Sequence, residues 1–343
     1  MKRIRICLVA VFLLSAGTLF SGGQSGGGIA GGNIAGTIKL ASLVPETSPW
    51  GAALNKMAGN IKAETNGAVD IIVYHNGIAG GEADVLRKLR LNQIQAAILT
   101  SFGLNEITPK ILALSCPFLI RSEAELDYVL LRLKPVLEES INRNGFQTIA
   151  WSKVGFVNFF AKSPARTPDQ MKKLKLGTSD TETSLLNVFK SMGYQLVPQS
   201  MDQVLIDLNT GRVDAVYQEP LSAASFQLFT TAKYMMNFTL APVMGGIVMN
   251  QAAWRRLPED YRAVIVKHAK VAEVEIEEQL ATLKKNALDM MLKNGLVIYD
   301  LTPEEQRVWI EDTEISVPRL VGTMFDADVY RQISDILKEY RQK

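Results

Sequence analysis

The feature that most constrains this chain is an order of elements that occurs twice. Ile38-Lys39-Leu40-Ala41-Ser42-Leu43 reads as a strand. Ser48-Pro49 then supplies an N-cap and a proline at the first helical position, for a helix that runs to about Glu64 and stops at Asn66-Gly67. Val69 to Tyr74 is a β-branched strand, Gly80-Gly81 opens a helix with Val85, Leu86 and Leu89 on one face, and Ala96 to Thr100 is a third strand. The order then returns. Leu174 to Thr178 is a strand, Ser179 or Asp180 caps a helix reaching Met192-Gly193, and Gln195-Leu196-Val197 is a strand. Met201 to Asn209 is a helix and Val213 to Tyr217 a strand. Val85, Leu86, Leu89, Ile94 and Ala96 correspond to Val204, Leu205, Leu208, Val213 and Ala215 at a constant offset of 119 residues. One offset shared by a helix and a strand favours a common architecture over chance matching of apolar residues.

Alternating strands and helices of this size imply an α/β fold with parallel-rich sheets covered on both faces. Two such lobes bind ligands at the C-terminal ends of their strands, in the crevice between them. After Pro258, an apolar helical stripe of Val264, Ile265, Ala269, Ala272, Ile276, Leu280, Leu283, Ala287, Met290 and Met291 continues to Asn294-Gly295 without an interrupting Pro or Gly. Glu259 to Asn294 is 36 positions, about 54 Å of helix, so this helix is expected to span both lobes. Thr302-Pro303-Glu304-Glu305 is a strong helix start, and a last helix is expected from about Asp326 to Arg341.

Composition narrows the chemistry. The 343 residues suffice for roughly two domains. A formal net charge of +2 gives no concentrated basic face for nucleic acid. Two Cys cannot form a four-thiolate zinc site or a disulfide scaffold, and the two His, at 75 and 268, are far apart. No metal ligand set, cofactor or catalytic group is therefore assigned. An enzyme remains a competing class, but the sequence holds no GxSxG, HExxH or strand-linked phosphate loop. Its best candidate acid is Glu219, before Pro220, which is better suited to a hinge or a hydrogen-bond acceptor for a ligand.

The N-terminus reads as an export signal rather than as fold. Lys2, Arg3 and Arg5 precede an apolar run from Ile6 to Leu14 and the small residues Ser15-Ala16-Gly17. The run is shorter than the ~20 residues that span a bilayer, so cleavage is expected over a retained anchor. Leu19-Phe20-Ser21-Gly22 resembles a lipoprotein signal with Gly in place of the acylated Cys. Residues 22–36 are Gly-rich and form a flexible tether. Without residues 1–21 the chain loses Lys2, Arg3 and Arg5, and its formal net charge falls from +2 to −1. Cys7 leaves as well, and Cys116 is expected to be a buried, unpaired thiol.

The chain resembles the solute-binding proteins of TRAP (tripartite ATP-independent periplasmic) transporters, the DctP-like family. The resemblance covers residues 37–340. It rests on IKLASLVPETSPWG, on Thr65-Asn66-Gly67-Ala68-Val69, on Asn76-Gly77 followed by Gly80-Gly81-Glu82, and on Pro117-Phe118-Leu119. Thr167-Pro168-Asp169-Gln170-Met171-Lys172-Lys173-Leu174-Lys175-Leu176, Thr210-Gly211-Arg212-Val213-Asp214-Ala215 and the helix after Leu257-Pro258-Glu259 extend it. The resemblance implies a two-lobed, periplasmic-binding-protein-like fold that closes on a small solute and delivers it to a membrane permease. Lobe I is expected over 37–150, with parts of 240–270, and lobe II over 151–240. The long helix follows over 258–294, and helices packing across both lobes over 295–343.

The resemblance also implies a carboxylate ligand paired with an Arg after Leu174-Lys175-Leu176, and a second Arg after Gly155-Phe156. Here Gly177 and Val157 stand at those positions. An unpaired carboxylate in a desolvated cleft is penalised by about 3–5 kcal/mol, so a largely apolar or uncharged ligand is expected. Capture of an organic acid by another cation, with Lys153, Lys162 or Arg166 nearest in sequence, is the alternative. The expected ligand-binding residues are Trp50, Thr100, Ser101, Phe102, Phe118, Trp151, Val157, Phe159, Gly177, Thr178, Tyr217, Gln218 and Met244. Phe156, Phe160, Phe226, Phe229, Met235, Met236 and Phe238 are further candidates for an apolar wall, each weighed against a core role. The expected partners are the small-molecule ligand, the TRAP-type permease subunits and a periplasmic tetratricopeptide-repeat protein, the last suited to a carrier that hands on an apolar molecule.

Overall fold

A computed structural model describes residues 36–179, 183–199 and 203–342. The expected signal, the tether up to residue 35, Asp180 as a cap and Met201 as a helix start lie outside the described residues. Gly36, expected to end the tether, opens strand β1 (Gly36–Ala41). Ser48 Oγ accepts from Gly51 N at 3.1 Å and caps α1 (Pro49–Glu64), as the Ser-Pro pair predicts. Then come β2 (Val69–Tyr74), α2 (Glu82–Arg90), β3 (Ala96–Thr100), α3 (Ser101–Asn105), α4 (Glu123–Arg143) and β4 (Phe146–Ala161). The second occurrence of the pattern follows as α5 (Pro168–Lys172), β5 (Lys175–Ser179), α6 (Thr183–Ser191), β6 (Gln195–Gln199), α7 (Val204–Thr210), β7 (Ala215–Gln218) and α8 (Pro220–Ser225). The remainder is β8 (Tyr234–Met236), β9 (Ala241–Asn250), α9 (Gln251–Arg256), α10 (Glu259–Lys293), β10 (Val297–Tyr299), α11 (Pro303–Ser316) and α12 (Ala327–Arg341).

The strands lie in the order β2-β1-β3-β9-β4-β7-β5-β6. In one half β1 is parallel to β2 and β3, and β3 is antiparallel to β9. In the other half β5 is parallel to β6 and β7, and β7 is antiparallel to β4. The repeat seen at an offset of 119 therefore has the same pairing order in each half, and nine of its ten positions are buried, Leu205 being half-buried. The mixed α/β fold expected from the sequence is the fold observed. Strand β4 pairs with β9 through Val157 and with β7 from Asn158 onward, so one continuous strand joins the halves. The boundary expected at residues 150/151 falls inside it. Register shifts at Thr148/Ala150 and Lys153/Gly155 mark bulges that bend β4 near that junction.

Helix α10 has 35 residues, about 52 Å. Its first half packs Ile265, Ala269 and Ala272 against the α1 side of the sheet. Ile276 and Leu280 meet Ala53, Trp50 and Leu221, and Ala287 and Met291 enter the core under β7 and α8. One unbroken helix thus touches both halves. Met290, expected in its buried stripe, is exposed. Thr302 and Glu305 form the expected capping box of α11, and Asp326 Oδ1 caps α12 by accepting from Val329 N at 2.9 Å. Among the described residues no helix is long and apolar enough to cross a membrane.

Candidate functional site

A cavity of about 820 Å³ lies at the C-terminal ends of β3, β5, β6 and β7, against the central strands β4 and β9. That volume is in the range of small-molecule sites, and strand C-termini are where open α/β sheets bind ligands. Strand β3 runs directly into α3, and Thr100 is the cap: its Oγ1 accepts from Phe102 N at 3.2 Å. Thr100 N and Oγ1 donate to the Glu82 carboxyl at 2.5 and 2.8 Å, and Gly103 N donates to it as well. Burial pushes the Glu82 carboxyl above its ordinary pKa, with these three bonds opposing the shift. Ser101 Oγ donates to Met244 O at 2.8 Å and accepts from Met244 N at 3.0 Å, fastening the start of α3 to β9.

In the other half, β5 and β7 bring Gly177, Thr178, Val216, Tyr217 and Gln218 to the wall, and β6 brings Gln199. A Cβ at Gly177 would overlap the Gln199 amide nitrogen and sit 3.2 Å from Val216 Cγ1. Gln199 thus fills the space beside position 177. Gln199 is 5% exposed and Thr178 3%. Gln199 Oε1 and Thr178 Oγ1 have no hydrogen-bond partner among the described residues. Both atoms are closed off from solvent, and a buried, unpaired polar atom costs about 1–3 kcal/mol. Glu219 also lines the wall and accepts from Ser222 Oγ at 2.5 Å. It is half-buried by surface area because one side faces the cavity, yet protein surrounds it closely enough that burial raises its carboxyl pKa.

Of the thirteen residues singled out in the sequence, Trp50, Thr100, Ser101, Phe102, Val157, Gly177, Thr178, Tyr217 and Gln218 line this cavity. Phe118, Trp151, Phe159 and Met244 do not. Phe118 stacks on Phe238 at 5.0 Å and meets Trp309 at 5.4 Å. Phe159 packs between Trp309 and Tyr194. Trp151 turns into the α4 side of the core, where its Nε1 donates to Glu138 Oε1 at 2.8 Å. Met244 is fully buried in the same core, on a strand whose neighbours Val243 and Gly245 take the wall. Strand alternation separates Trp151 and Met244 from the cavity, whereas Phe159 lies farther along β4 and Phe118 lies in a turn.

The further aromatic and Met candidates follow the core reading: Phe156, Phe160, Phe229, Met235 and Met236 are buried in clusters, Phe238 packs on one, and Phe226 is exposed. The apolar wall is built instead from Leu43, Val44, Val154, Leu228, Leu240, Pro242 and Val243, together with Trp50 and Phe102. Gln199 was missed because the predicted strand stopped at Val197, two residues short of the strand end that carries it. Glu82 opens α2, and its carboxyl turns back to the wall at Thr100.

No Lys, Arg or His lines the cavity among the described residues. The three cations considered as substitutes are engaged elsewhere. Lys153 pairs with Asp127 at 2.7 Å and Glu277 at 3.3 Å, and Lys162 is 4.0 Å from Asp214. Arg166 grips Glu305 with two bonds of 2.6 and 2.7 Å, which lowers the Glu305 carboxyl to about 2. Lys284 of α10 lies over Gly155, 3.4 Å from Glu123, and its charge modestly favours ionised Glu219. Among the described residues no group of three or more Cys, His, Asp or Glu is placed to hold a metal ion.

The model of bacterial extracellular solute-binding protein family 7, DctP, matches residues 40–321. A solute-binding protein of Chromohalobacter salexigens is 23% identical over 73% of this chain and 76% of its own length. The C4-dicarboxylate-binding periplasmic protein DctP of Rhodobacter capsulatus is 25% identical over 80% of this chain and 83% of its own. A crystal structure of a TRAP periplasmic solute-binding protein of C. salexigens with bound D-glucuronate superposes with a TM-score of 0.78 at 20% identity, covering 88% of this chain and 99% of that one. The match over most of the chain, the fold and the cavity at the strand ends agree: this chain belongs to the DctP family of extracellular solute-binding proteins, the solute-binding component of TRAP transporters.

Proposed function

We propose that this solute-binding protein captures an uncharged, largely apolar molecule in the 820 Å³ cavity. The composition of the wall carries the reading. Glu82, Asp84, Glu106 and Glu219 line it, and no described lining residue is basic. Residues 180–182 and 200–202 contain no Lys, Arg or His in sequence either. Relatives named for C4-dicarboxylates, or crystallised with glucuronate, handle carboxylates. A carboxylate in this cavity would meet acidic side chains and no countercharge among the described lining residues, at a penalty of about 3–5 kcal/mol.

Lobes over 37–150 (with 240–270) and 151–240 would close on the ligand about β4 and β9. Residues 1–21 would export the chain to the periplasm, with 22–36 as its tether. The recipient is the TRAP-type permease. A periplasmic tetratricopeptide-repeat protein is the second recipient, favoured by an apolar cargo that needs shielding from water, and a pull-down from the native envelope distinguishes the two.

Calorimetric titration of the ligand-free protein with succinate and D-glucuronate tests the charge reading. No saturable binding below millimolar concentration is expected. Micromolar affinity for either would overturn it.

A further inference from the structure

We infer that the solute held in this cavity presents an uncharged hydrogen-bond acceptor, a ketone, ester or amide carbonyl, to the hydroxyl of Ser115. The inference rests on the cavity being the solute site proposed above. Ser115 ends the 3-10 helix Ile111–Ser115 and lines the cavity, as does Pro117. It is 6% exposed. Among the described residues its hydroxyl has no hydrogen-bond partner, and it retains accessible surface, unlike Thr178 Oγ1 and Gln199 Oε1. A Ser hydroxyl on a helix often closes on a carbonyl of the preceding turn. Ser191, Ser225 and Ser334 do so, on Val188 O, Leu221 O and Tyr330 O at 2.7, 2.9 and 2.9 Å. Ser115 does not, which leaves its proton for the cavity.

A hydroxyl can donate and accept, but a buried O–H must place its own proton on something. A solute that donated to Ser115 would leave that proton unpaired, whereas a solute carbonyl takes it. Asn105 is tied to the same 3-10 helix: its Oδ1 accepts from Leu112 N at 3.2 Å, which leaves its NH2 group as a second donor. Asn105 follows Phe102 by three residues on α3, and both line the cavity. The carboxyls of Glu106 and Glu219 in the wall only accept when ionised, so a solute acceptor is placed at Ser115 rather than against them.

The test titrates three bicyclic probes of similar shape into the ligand-free protein by calorimetry: 1-indanone with a carbonyl acceptor, indole with an N–H donor, and indene with neither. Ser115→Ala is expected to weaken 1-indanone at least fivefold and to leave indole and indene within twofold of wild type. Ser115→Cys, with a similar shape and a weaker donor, should show the same selective loss. Ligand-free Ser115→Ala should melt no lower than wild type, since its hydroxyl bonds nothing in the protein. Equal losses for all three probes, a loss confined to indole, or no loss for 1-indanone would overturn the inference and leave solute capture standing. A lower melting temperature would overturn it too, by showing the hydroxyl satisfied within the fold. Failure of all three to bind wild type would overturn both the inference and the cavity's role.

Discussion

The side-chain amide of Gln199 lies over Gly177, in the volume that a Cβ at that position would enter. The absence of a cation at 177 is thus coupled to a neutral polar group that has taken its place. Gly177→Arg should push the Gln199 amide, the free end of a flexible side chain, out of the wall. Val216 at 3.2 Å must also yield, for an overpacking cost of about 1–3 kcal/mol. The variant is expected to gain at least tenfold in affinity for octanoate and to lose affinity for its natural ligand, read by calorimetry. Unchanged affinity for both would show that position 177 does not reach the bound solute.

Glu219 gives a pH signature. Burial raises its carboxyl pKa above the ordinary 4.5, so the folded protein holds this proton more tightly than the unfolded chain. Its contribution to stability is therefore complete below about pH 4.5 and is lost as pH rises through the folded pKa. Glu219→Gln keeps an acceptor for Ser222 and removes the titration. The variant should melt higher than wild type at pH 8, with the gap narrowing toward pH 4. A gap independent of pH would contradict this assignment.

Lys153 and Arg166 are spent on Asp127, Glu277 and Glu305. Lys153→Met and Arg166→Met are each expected to leave solute affinity within twofold of wild type, by the same titration. A tenfold loss in either would restore the alternative of a substitute cation.

Leu280 is buried on α10 among Ala53, Trp50 and Leu221, where elements of both halves converge. Leu280→Ala is expected to cost about 2–5 kcal/mol in denaturant unfolding. A cost under 1 kcal/mol would mean that the middle of α10 is not a packed contact.

The repeat, the long helix and its caps were legible because they rest on local signals: apolar period, Ser-Pro and Thr-Pro-Glu-Glu starts, Asn-Gly stops. Nine of the thirteen expected site residues reach the cavity, seven of them because strand C-termini point there in any fold of this order, with Trp50 on α1 and Val157 inside β4. The four that do not are large apolar side chains in or near the central strands and the Phe118 turn. Their facing depends on alternation and bulges in β4 and β9, which periodicity over a few residues does not resolve. Gln199 and Glu82 needed three dimensions, since a polar residue at a strand end or a helix start reads locally as a cap, whereas Glu219 stood out in the sequence before Pro220.

The most direct measurement is extraction of the purified protein with organic solvent, followed by mass spectrometry of the released small molecules. A near-stoichiometric, uncharged and largely apolar compound is expected. Recovery of a dicarboxylate, keto acid or uronate would contradict it.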